Sequence, residues 1–518
     1  MRSKGRTGNL GAPKRFPGKG IGCANSLKRG EGAEGASGVG SANSRGNSRR
    51  NLAEALAAPH LADILAARAL EGADKHSERC RETTAAPRSG QQAETALQRI
   101  ARVAEADKRY KFRALASLLN EEYLAECFAQ LKRGKAVGID GVDIEQYEEN
   151  LLGNLKDLVD RMKSGKYRPQ PVRRVYIPKE SGGKRPLGIP SIEDKIVQMG
   201  ITRILEAMFE PNFLSASHGY RRGRSCHTAL AALGKALRAR PTNYVVDADI
   251  KGFFDNVDHK WMVECLKQRI TDRNLLRLIV RFLKSGIMEE GKYFDTEKGT
   301  PQGGILSPVL SNVYLHYVLD LWLEKKLKQE CKGYVEQIRY CDDFVICVQV
   351  EADGQKIMEA LRERLKKFAL SLSEEKTRLI GFGRFEERRS RRIGSGPATF
   401  DFLGFTHYCG RNRYRKFKVG RRTSRKKFKQ KQKEMNGWLK KIRNRMSVVE
   451  IWKLLKIKLE GHYRYYGVSE NSRSIQRFRF CVVHLVYKWL NRRSQRRSFS
   501  WKKFLEYLDR YPLPQPRL

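Results

Sequence analysis

Two adjacent carboxylates stand between apolar runs, and this arrangement restricts the local fold more than any other part of the sequence. The flanking segments 335–339 and 344–350 are apolar, alternating and rich in β-branched residues, which predicts a β-hairpin with Asp342 and Asp343 at its tip. Two unit charges about 4 Å apart repel by roughly 4 kcal/mol at an effective dielectric constant near 20. Magnesium would relieve this repulsion, because it binds carboxylate oxygens while keeping several waters. A solvated turn is the competing interpretation, since aspartate is common in turns, and the other motifs decide against it.

The chain carries a large excess of positive charge, which indicates a polyanionic partner. Its 518 residues include 103 Lys and Arg against 57 Asp and Glu, a formal net charge of +46, and such an excess favours nucleic acid. A membrane surface is the rival partner, but no uninterrupted apolar run approaches the roughly 18 residues that span a bilayer. The ten cysteines are scattered singly, without zinc-binding spacing. We therefore expect a soluble intracellular protein with reduced cysteines.

Composition and periodicity divide the chain into four segments. Residues 1–95 are rich in Gly, Ser, Ala and Arg and lack sustained periodicity, so we expect a disordered basic leader. Helical periodicity begins near Thr95, and a mixture of helix and strand patterns occupies 96–408. A basic, helical domain is expected at 409–490, followed by a short basic tail at 491–518.

Two basic motifs precede the middle of the chain. A Gly-Ile-Asp-Gly turn follows Lys132, Arg133 and Lys135, and its glycines would let a phosphate backbone approach closely; a plain surface turn explains it equally well. Farther on, two extended runs separated by Ser-Gly-Gly predict a hairpin. Lys179 and Arg185 flank its turn, so the ribbon can hold a triphosphate. A solvated basic hairpin is the alternative.

A third basic loop leads into a predicted buried strand. The cations of the loop are Arg221, Arg222 and Arg224. On the strand, Asp247 and Asp249 share a face because side chains alternate, and alternation does not decide which of them binds a metal. Farther along, a Gly-rich loop around Gln302 runs into an amphipathic helix, and such a loop lets the backbone come close to a ligand.

The segment 411–445 is strongly basic and interleaved with aromatic residues. This combination suits RNA phosphates and stacked bases, whereas a solvated helix face is the alternative. The lysines predicted to bind RNA here are Lys426, Lys427 and Lys429. Downstream, we interpret His462 and Tyr463 as further RNA contacts and expect His484 to lie in the core.

The chain resembles the reverse transcriptases encoded by bacterial group II introns over roughly residues 95–518. The resemblance rests on motifs in a specific order, namely IPKESGGKRPLGIP, HGYRRGRS, VVDADIKGFFDNVDH, GTPQGGILSP, YCDDF, SEEKT and FLGF. The later run IWKLLKIKLEGHYRYYG is similar to that family's thumb, also called its maturase domain. The resemblance implies an α+β right-hand polymerase, with fingers and palm built from antiparallel sheet and helices and with an α-helical thumb.

The resemblance also implies roles for individual residues. The metal-binding carboxylates fall on Asp249, Asp342 and Asp343. Asp249 is thereby selected over Asp247, and two Mg²⁺ ions about 4 Å apart would stabilise the attacking and leaving oxygens. The residues around the incoming nucleotide would be Lys179, Arg185, Phe254, Gln302 and Lys376. Of these, Phe254 would exclude a 2′-hydroxyl group. Cys341 replaces the Ala that is commonest in the family's four-residue motif, and its similar volume is compatible with activity.

The expected function is that of an RNA-directed DNA polymerase that binds its intron RNA, assists splicing and supports mobility by target-primed reverse transcription. We expect group II intron RNA, a DNA target and primer, and deoxynucleoside triphosphates as partners; a homodimer stays open, and no membrane partner is expected. The expected location is the cytoplasm, with nucleoid association during mobility. Many relatives carry a Cys-rich nuclease domain whose motif this sequence lacks, so we expect no endonuclease. Two alternatives remain, a splicing factor whose polymerase has lapsed and a related polymerase recruited to phage defence or repair.

Overall fold

The computed structural model describes residues 88–178, 183–392, 394, 396–494 and 499–516. Helices and mostly antiparallel strands alternate along these residues, which confirms the predicted α+β class. None of the described helices is long and apolar enough to cross a membrane. Most of the expected leader, residues 1–87, lies outside the described residues, and the helix Arg88–Ala106 begins before the predicted start of order near Thr95.

Helices make up most of the N-terminal and central parts of the described chain. The longer ones are Arg88–Ala106, Glu121–Ala129, Leu151–Lys163, Ile192–Phe209, Cys226–Ala239, His259–Lys267, Arg273–Leu283, Ser307–Leu315 and Glu351–Lys367. The shorter ones are Ile144–Glu148, Phe253–Asn256, Leu321–Lys325 and Glu386–Arg392. Many of them begin at a capping side chain, as where Ser191 and Asp258 accept bonds from backbone N–H groups of the first turn.

A four-stranded antiparallel sheet lies at the centre of the fold. Its strands are β3 (Tyr244–Asp249), β6 (Val335–Tyr340), β7 (Asp343–Val348) and β8 (Arg378–Gly381), in the order β6-β7-β3-β8. Both faces are covered, because Val246 and Ile346 belong to one hydrophobic core whereas Val245 and Val345 belong to the other. This double burial explains the nearly continuous apolar runs of these strands.

A second sheet forms a ribbon beside the first. It contains β1 (Val172–Pro178), β2 (Lys184–Ile189), β4 (Ile287–Glu289) and β5 (Lys292–Phe294), in the order β2-β1-β4-β5. Strands β1 and β2 pair antiparallel from Arg173 opposite Ile189 to Pro178 opposite Lys184. The predicted Ser-Gly-Gly hairpin is therefore confirmed, although its tip, 179–182, lies outside the described residues.

A third sheet joins the central part of the chain to a group of C-terminal helices. Its strands are β9 (Thr399–Phe402), β10 (Phe405–Arg411) and β11 (Phe417–Thr423), in the order β11-β10-β9. The expected segment boundary between Tyr408 and Cys409 falls inside β10, whose pairing with β11 continues to Arg411. The first helix after the sheet begins at Arg425, where Ser424 caps its N-terminus.

The C-terminal helices enclose the second core. They are Arg425–Ile442, Val448–Tyr466, Ser472–Leu490 and Trp501–Arg510. The short basic tail expected at 491–518 contains the last of these helices, which buries Phe504 completely, and Leu513 is only 1% exposed. Trp452 also donates a hydrogen bond from Nε1 to the carbonyl of Tyr511 at 3.0 Å. We call these four helices the C-terminal helical domain.

Candidate active site

The predicted catalytic aspartates meet where β3 ends and β6 turns into β7. Asp249, the last residue of β3, lies opposite Asp343, the first residue of β7. Tyr340 pairs with Asp343 across the hairpin, so Cys341 and Asp342 form a two-residue turn. Directly opposite residues in an antiparallel pair have Cα atoms about 4.5–5.5 Å apart. All three carboxylates therefore share one end of the central sheet, and the hairpin prediction is confirmed with Asp342 at the tip.

The strand register distinguishes Asp247 from Asp249, which alternation along β3 alone leaves equivalent as candidate metal ligands. Asp247 lies two residues farther from the turn, opposite Val345 and Arg378. Its carboxylate is 3.5 Å from Nε of Arg378. Asp249 instead faces Asp343 directly, so the geometry favours Asp249 as the residue that can share a cation with the hairpin.

Loss of water and mutual repulsion act against the charged forms of the hairpin carboxylates. The surrounding protein and then the nearby Asp342 and Asp249 raise the pKa of Asp343 to about 7. The pKa of Asp342 is also raised, first by desolvation and then by Asp249, while the guanidinium of Arg185 opposes the shift. Asp343 still reaches solvent on one side, as a carboxylate in an open cleft does. A bound cation would reverse these shifts, so the cluster has the electrostatic character of a cation site.

Lys376 supplies the positive charge nearest to this cluster. Its Nζ lies 2.6 Å from Oδ2 of Asp249, and this bond raises the pKa of Lys376. As their side chains stand, the described residues contain no group of three or more His, Cys, Asp or Glu that could hold a metal ion. Because Lys376 occupies one oxygen of Asp249, sharing a cation requires that carboxylate to turn. The donor set itself fits magnesium, which prefers carboxylate oxygens.

The Gly-rich loop connects the β1–β2 ribbon to the short helix that carries Phe254. The carbonyl of Gln302 accepts a hydrogen bond from the N–H of Gly188 at 2.6 Å, and the N–H of Thr300 donates to the carbonyl of Phe254 at 2.7 Å. Nε2 of Gln302 lies 3.3 Å from Oδ1 of Asp255. The loop therefore places Gln302 and the half-buried Phe254 on one wall beside the sheet.

Of the two cations predicted to bind the triphosphate, Arg185 lies among the described residues and Lys179 does not. Arg185 lies on β2 with an exposed side chain, close enough to Asp342 for its guanidinium to oppose the rise in the pKa of that carboxyl group. Lys179 lies outside the described residues, directly after the end of β1 at Pro178.

The first predicted RNA-binding loop lies against the same ribbon. Lys132 and Lys135 line a cavity of about 410 Å³ together with Gly188 of β2 and Gly303 of the Gly-rich loop. Arg133 points elsewhere, because its Nη2 donates to both carboxylate oxygens of Glu148 at 2.7 and 2.8 Å. The two lysines are thus the members of this motif that share a cavity with the candidate site.

The interpretation of Arg221 as an RNA contact is wrong. Its side chain is 4% exposed and pairs with Glu210 at 2.7 Å. It also donates to the carbonyls of Leu214 and Ser217 at 2.7 and 2.8 Å, so it holds the loop together from inside. Arg222 is different, because its side chain is 78% exposed even though it contacts a glutamate.

Arg224, the third predicted cation of this loop, is hydrogen-bonded to the backbone. Nη1 of Arg224 donates to the carbonyl of Ser215 at 2.8 Å.

The C-terminal helical domain separates the remaining RNA-binding predictions into surface and core residues. Lys426 and Lys429 are exposed on the helix Arg425–Ile442, and Lys427 is half-buried there. His462 and Tyr463 are buried, which contradicts their interpretation as RNA contacts. The ring of His462 stacks on Phe478 at 3.8 Å.

The histidine predicted for the core also changes place. His484 is exposed, and its ring lies 4.1 Å from that of Phe480 and 4.9 Å from that of Trp501. The two histidines have therefore exchanged the environments that the sequence suggested.

Sequence reasoning missed the groups that position the Gly-rich loop. The carboxylate of Asp255 accepts a hydrogen bond from the side chain of Gln302. The backbone N–H of Gly188 donates a hydrogen bond to the backbone carbonyl of Gln302. A Cβ on Gly303 would lie 2.6 Å from the carbonyl oxygen of Gly188, so these backbones approach too closely for a side chain. Gly188, next to the last residue of β2, was the available signal.

The fold and the site define a reverse transcriptase. Residues 177–407 match the family described as reverse transcriptase, RNA-dependent DNA polymerase, which has a right-hand polymerase fold. This segment contains the aspartate cluster, the Gly-rich loop and strand β2.

Relatives extend the likeness beyond that segment. The group II intron-encoded protein LtrA of Lactococcus lactis is 30% identical, over 72% of this chain and 73% of its own length. The protein YkfC of Escherichia coli is 30% identical over 62% of this chain and 90% of its own length. A mitochondrial nuclear intron maturase of Arabidopsis thaliana is 34% identical over 18% of this chain. The chain belongs to the group II intron-encoded reverse transcriptases, and it is an RNA-directed DNA polymerase.

Proposed function

We propose that the chain copies RNA into DNA at the cluster formed by Asp249, Asp342 and Asp343, and that the same protein binds its intron RNA, assists splicing and supports mobility. The observation that carries the proposal is the sheet register, which brings Asp249 directly opposite Asp343 beside a two-residue turn that carries Asp342. Three carboxylates at the ends of two adjacent strands and in the turn between β6 and β7 suit a cation-dependent transfer reaction better than a structural role, because uncompensated like charges destabilise a sheet.

In this proposal the three aspartates would hold two magnesium ions. When bound, such ions stabilise both the attacking and the leaving oxygen of an in-line phosphoryl displacement. The carboxylates of Asp342 and Asp343 would be fully ionised by that neighbouring charge. Asp249 would exchange its bond to Lys376 for the cation, leaving the ammonium available to the triphosphate.

The nucleotide would lie between the β1–β2 ribbon and the wall formed by the Gly-rich loop. Arg185 would contact the triphosphate with its planar guanidinium, and Lys179 would add a point charge. Gln302 would border the new base pair, since its loop is bonded to β2 on one side and to the helix of Phe254 on the other. The ring of Phe254 would meet a 2′-hydroxyl and so exclude ribonucleotides.

The carboxylate assignment can be tested by primer extension on an RNA template. Asp342→Ala, Asp343→Ala and Asp249→Ala should each abolish cDNA synthesis while RNA binding stays near that of the wild type, because these groups hold metal rather than RNA. Asp247→Asn is the matched control on the same face of β3, and it should keep most of the activity. Extension at the wild-type rate by any of the three alanine variants would refute the assignment.

RNA affinity is expected to depend on the C-terminal helical domain. Lys427 lines a cavity of about 430 Å³ together with Lys431, Trp438 and Lys458, and Nζ of Lys458 lies 4.9 Å from the Trp438 ring centroid. Cations beside aromatic planes suit phosphates and stacked bases. We propose that this surface binds intron RNA and the template–primer duplex.

The salt dependence of RNA binding tests this surface. Each lost phosphate contact reduces the slope of log affinity against log salt by up to about one unit. The test variant neutralises Lys426, Lys427 and Lys429. The matched control removes the same charge from three exposed lysines of the helix Glu351–Lys367, namely Lys356, Lys366 and Lys367. An equal slope change in both variants, or none in the first, would place the RNA site elsewhere.

The proposal extends to the remaining partners and to the location. Deoxynucleoside triphosphates, a DNA target and its primer would be the substrates, and a second copy of the chain is a further proposed partner. We place the protein in the cytoplasm, associated with the nucleoid during mobility, because its DNA target lies there. Cross-linking of the ribonucleoprotein to labelled target DNA in cells would test the location, and exclusive recovery from the membrane fraction would contradict it.

A further inference from the structure

A buried ion pair lies directly beneath the turn that carries the aspartates. Arg339 on β6 and Asp320 both have completely buried side chains. The pair is bidentate, with Nε 2.8 Å from Oδ1 and Nη2 2.5 Å from Oδ2. Asp320 ends a π-helical segment, His316–Asp320, that interrupts the regular helix after Leu315. Such segments are rare and often occur at functional sites.

The guanidinium of Arg339 has a partner for each of its five N–H donors. Two of them are used by Asp320. Nη2 also donates to Oγ of Ser217 at 2.8 Å, and Nη1 donates to Oδ1 of Asn312 at 3.1 Å and to the carbonyl oxygen of Cys341 at 2.9 Å. Only the last of these bonds reaches the catalytic turn.

The carbonyl that Arg339 holds belongs to the most constrained residue of the turn. Cys341 has a φ of +61°, a left-handed conformation that glycine adopts freely and other residues adopt rarely. Its carbonyl belongs to the peptide bond between Cys341 and Asp342. A hydrogen bond to that oxygen therefore fixes the orientation of this peptide, and with it the direction in which the side chains of Asp342 and Asp343 project. The loop that contains Gly219 packs tightly against Cys341, because a Cβ on Gly219 would lie 2.4 Å from the Cys341 nitrogen.

We propose that Arg339, oriented by Asp320, is a positioning residue that holds the Cys341–Asp342 peptide and thereby fixes the catalytic carboxylates. The inference rests on the proposed role of these carboxylates in catalysis. A purely stabilising role explains the pair less well, since apolar residues of similar volume often replace a buried ion pair without loss of stability. An apolar side chain, however, offers no donor to the Cys341 carbonyl.

Two variants separate positioning from stability. Arg339→Lys keeps a charge for Asp320 but loses the planar fork that reaches two partners at once. The double variant Asp320→Leu with Arg339→Met leaves no buried charge and removes the bond to Cys341. The control is Arg269→Lys, because Arg269 is 1% exposed and bonds Lys108 and Asn212 away from the turn.

Three measurements are made on each purified full-length variant: thermal unfolding, steady-state cDNA synthesis on a primed RNA template, and hydrogen exchange of the amides at 340–344. A misplacement near 1 Å costs about 100-fold in rate, so kcat should fall about 100-fold in both Arg339 variants. The KM for deoxynucleotides and the Kd for primed template should stay close to those of the wild type. Exchange at 340–344 should become faster in these variants and not in the Arg269→Lys control.

The outcomes decide the inference independently of the proposed function. Wild-type kcat or unchanged exchange at 340–344 in both Arg339 variants would overturn it. Failure of both variants to fold would overturn it as well, because the network would then stabilise the whole central sheet rather than the turn. If the wild type made no cDNA while exchange still rose in the variants, the turn would be held as inferred and the proposed function would fail instead.

Discussion

Replacing Gly219 with alanine should displace the turn that carries Asp342 by a distance that can be read from the structure. A Cβ at Gly219 would lie 2.4 Å from the backbone nitrogen of Cys341 and 2.5 Å from its Sγ. Gly219 does not have the left-handed backbone found at Cys341, so alanine meets a steric conflict only with its neighbour. The two atoms that it meets belong to the residue immediately before Asp342.

The size of the effect follows from that contact. Ordinary contacts of a Cβ begin at 3.4 Å, so the loop and the turn must separate by about 1 Å. The carbonyl of Gly219 is held by Nδ2 of Asn312 at 2.8 Å, which restrains the loop and leaves the turn to take part of the shift. A misplacement of about 1 Å can reduce the rate by about 100-fold, whereas overpacking of a core typically costs about 1–3 kcal/mol of stability. We therefore expect a larger loss of kcat than the loss of folded protein explains.

The assay compares kcat and KM for deoxynucleotide incorporation on a primed RNA template with the melting temperature of the same preparation. Gly437→Ala is the matched control, because Gly437 lies within the helix Arg425–Ile442 and a Cβ there would meet nothing within 4 Å. Alanine at that position should stabilise the helix by up to about 1 kcal/mol and leave kcat unchanged. A Gly219→Ala protein with wild-type kcat would refute the steric argument.

Three further changes test other parts of the structure. Phe254→Val should increase ribonucleotide incorporation in competition with deoxynucleotides, and unchanged discrimination would remove Phe254 from the nucleotide pocket. Phe504→Ala should destabilise the C-terminal helical domain by about 3–5 kcal/mol in denaturant unfolding, whereas Leu505→Ala, at a 42% exposed position, should change the unfolding free energy by about 0.5 kcal/mol or less; equal effects would mean that the last helix does not pack. Burial lowers the pKa of His462 to about 4 from about 6.5 in the unfolded chain, so its neutral form stabilises the fold above pH 6.5 and about 3 kcal/mol is lost as the pH falls to 4. His462→Phe should remove that part of the acid sensitivity, and an unchanged pH dependence would contradict burial of the ring.

Local signals predicted the strands correctly, whereas their pairing required the structure. The apolar runs on either side of Asp342 and the Ser-Gly-Gly turn predicted two hairpins because a hairpin is formed by residues close in sequence. The pairing of Asp249 with Asp343 joins residues far apart in the chain, and alternation along β3 is satisfied by Asp247 as well. The proposed metal site therefore could not be completed from periodicity, and only the family resemblance selected Asp249 beforehand.

Basic composition predicted a nucleic-acid surface but not the fate of each cation. Arg221 and Arg222 are adjacent in sequence, yet only the first is buried, because Glu210 and two carbonyls enclose it. Those partners become neighbours only in the folded chain. The burial of His462 could have been predicted, since it continues the helical spacing of Leu455 and Leu459 toward the core. Its interpretation as an RNA contact overlooked this helical spacing.

The candidate site combines carboxylates that are held rigidly with one that can rearrange. Asp342 and Asp343 follow a left-handed residue whose carbonyl is bonded to a fully buried guanidinium, and a change there would leave buried polar groups without partners. Asp249 is held instead by Lys376, whose side chain is 65% exposed, and an exposed ion pair contributes only about 0–1 kcal/mol. Exchange of the Lys376 ammonium for a metal ion therefore costs little, whereas displacement of the turn costs much more. In the proposed reaction, Asp249 would thus turn toward a cation while Asp342 and Asp343 keep their positions.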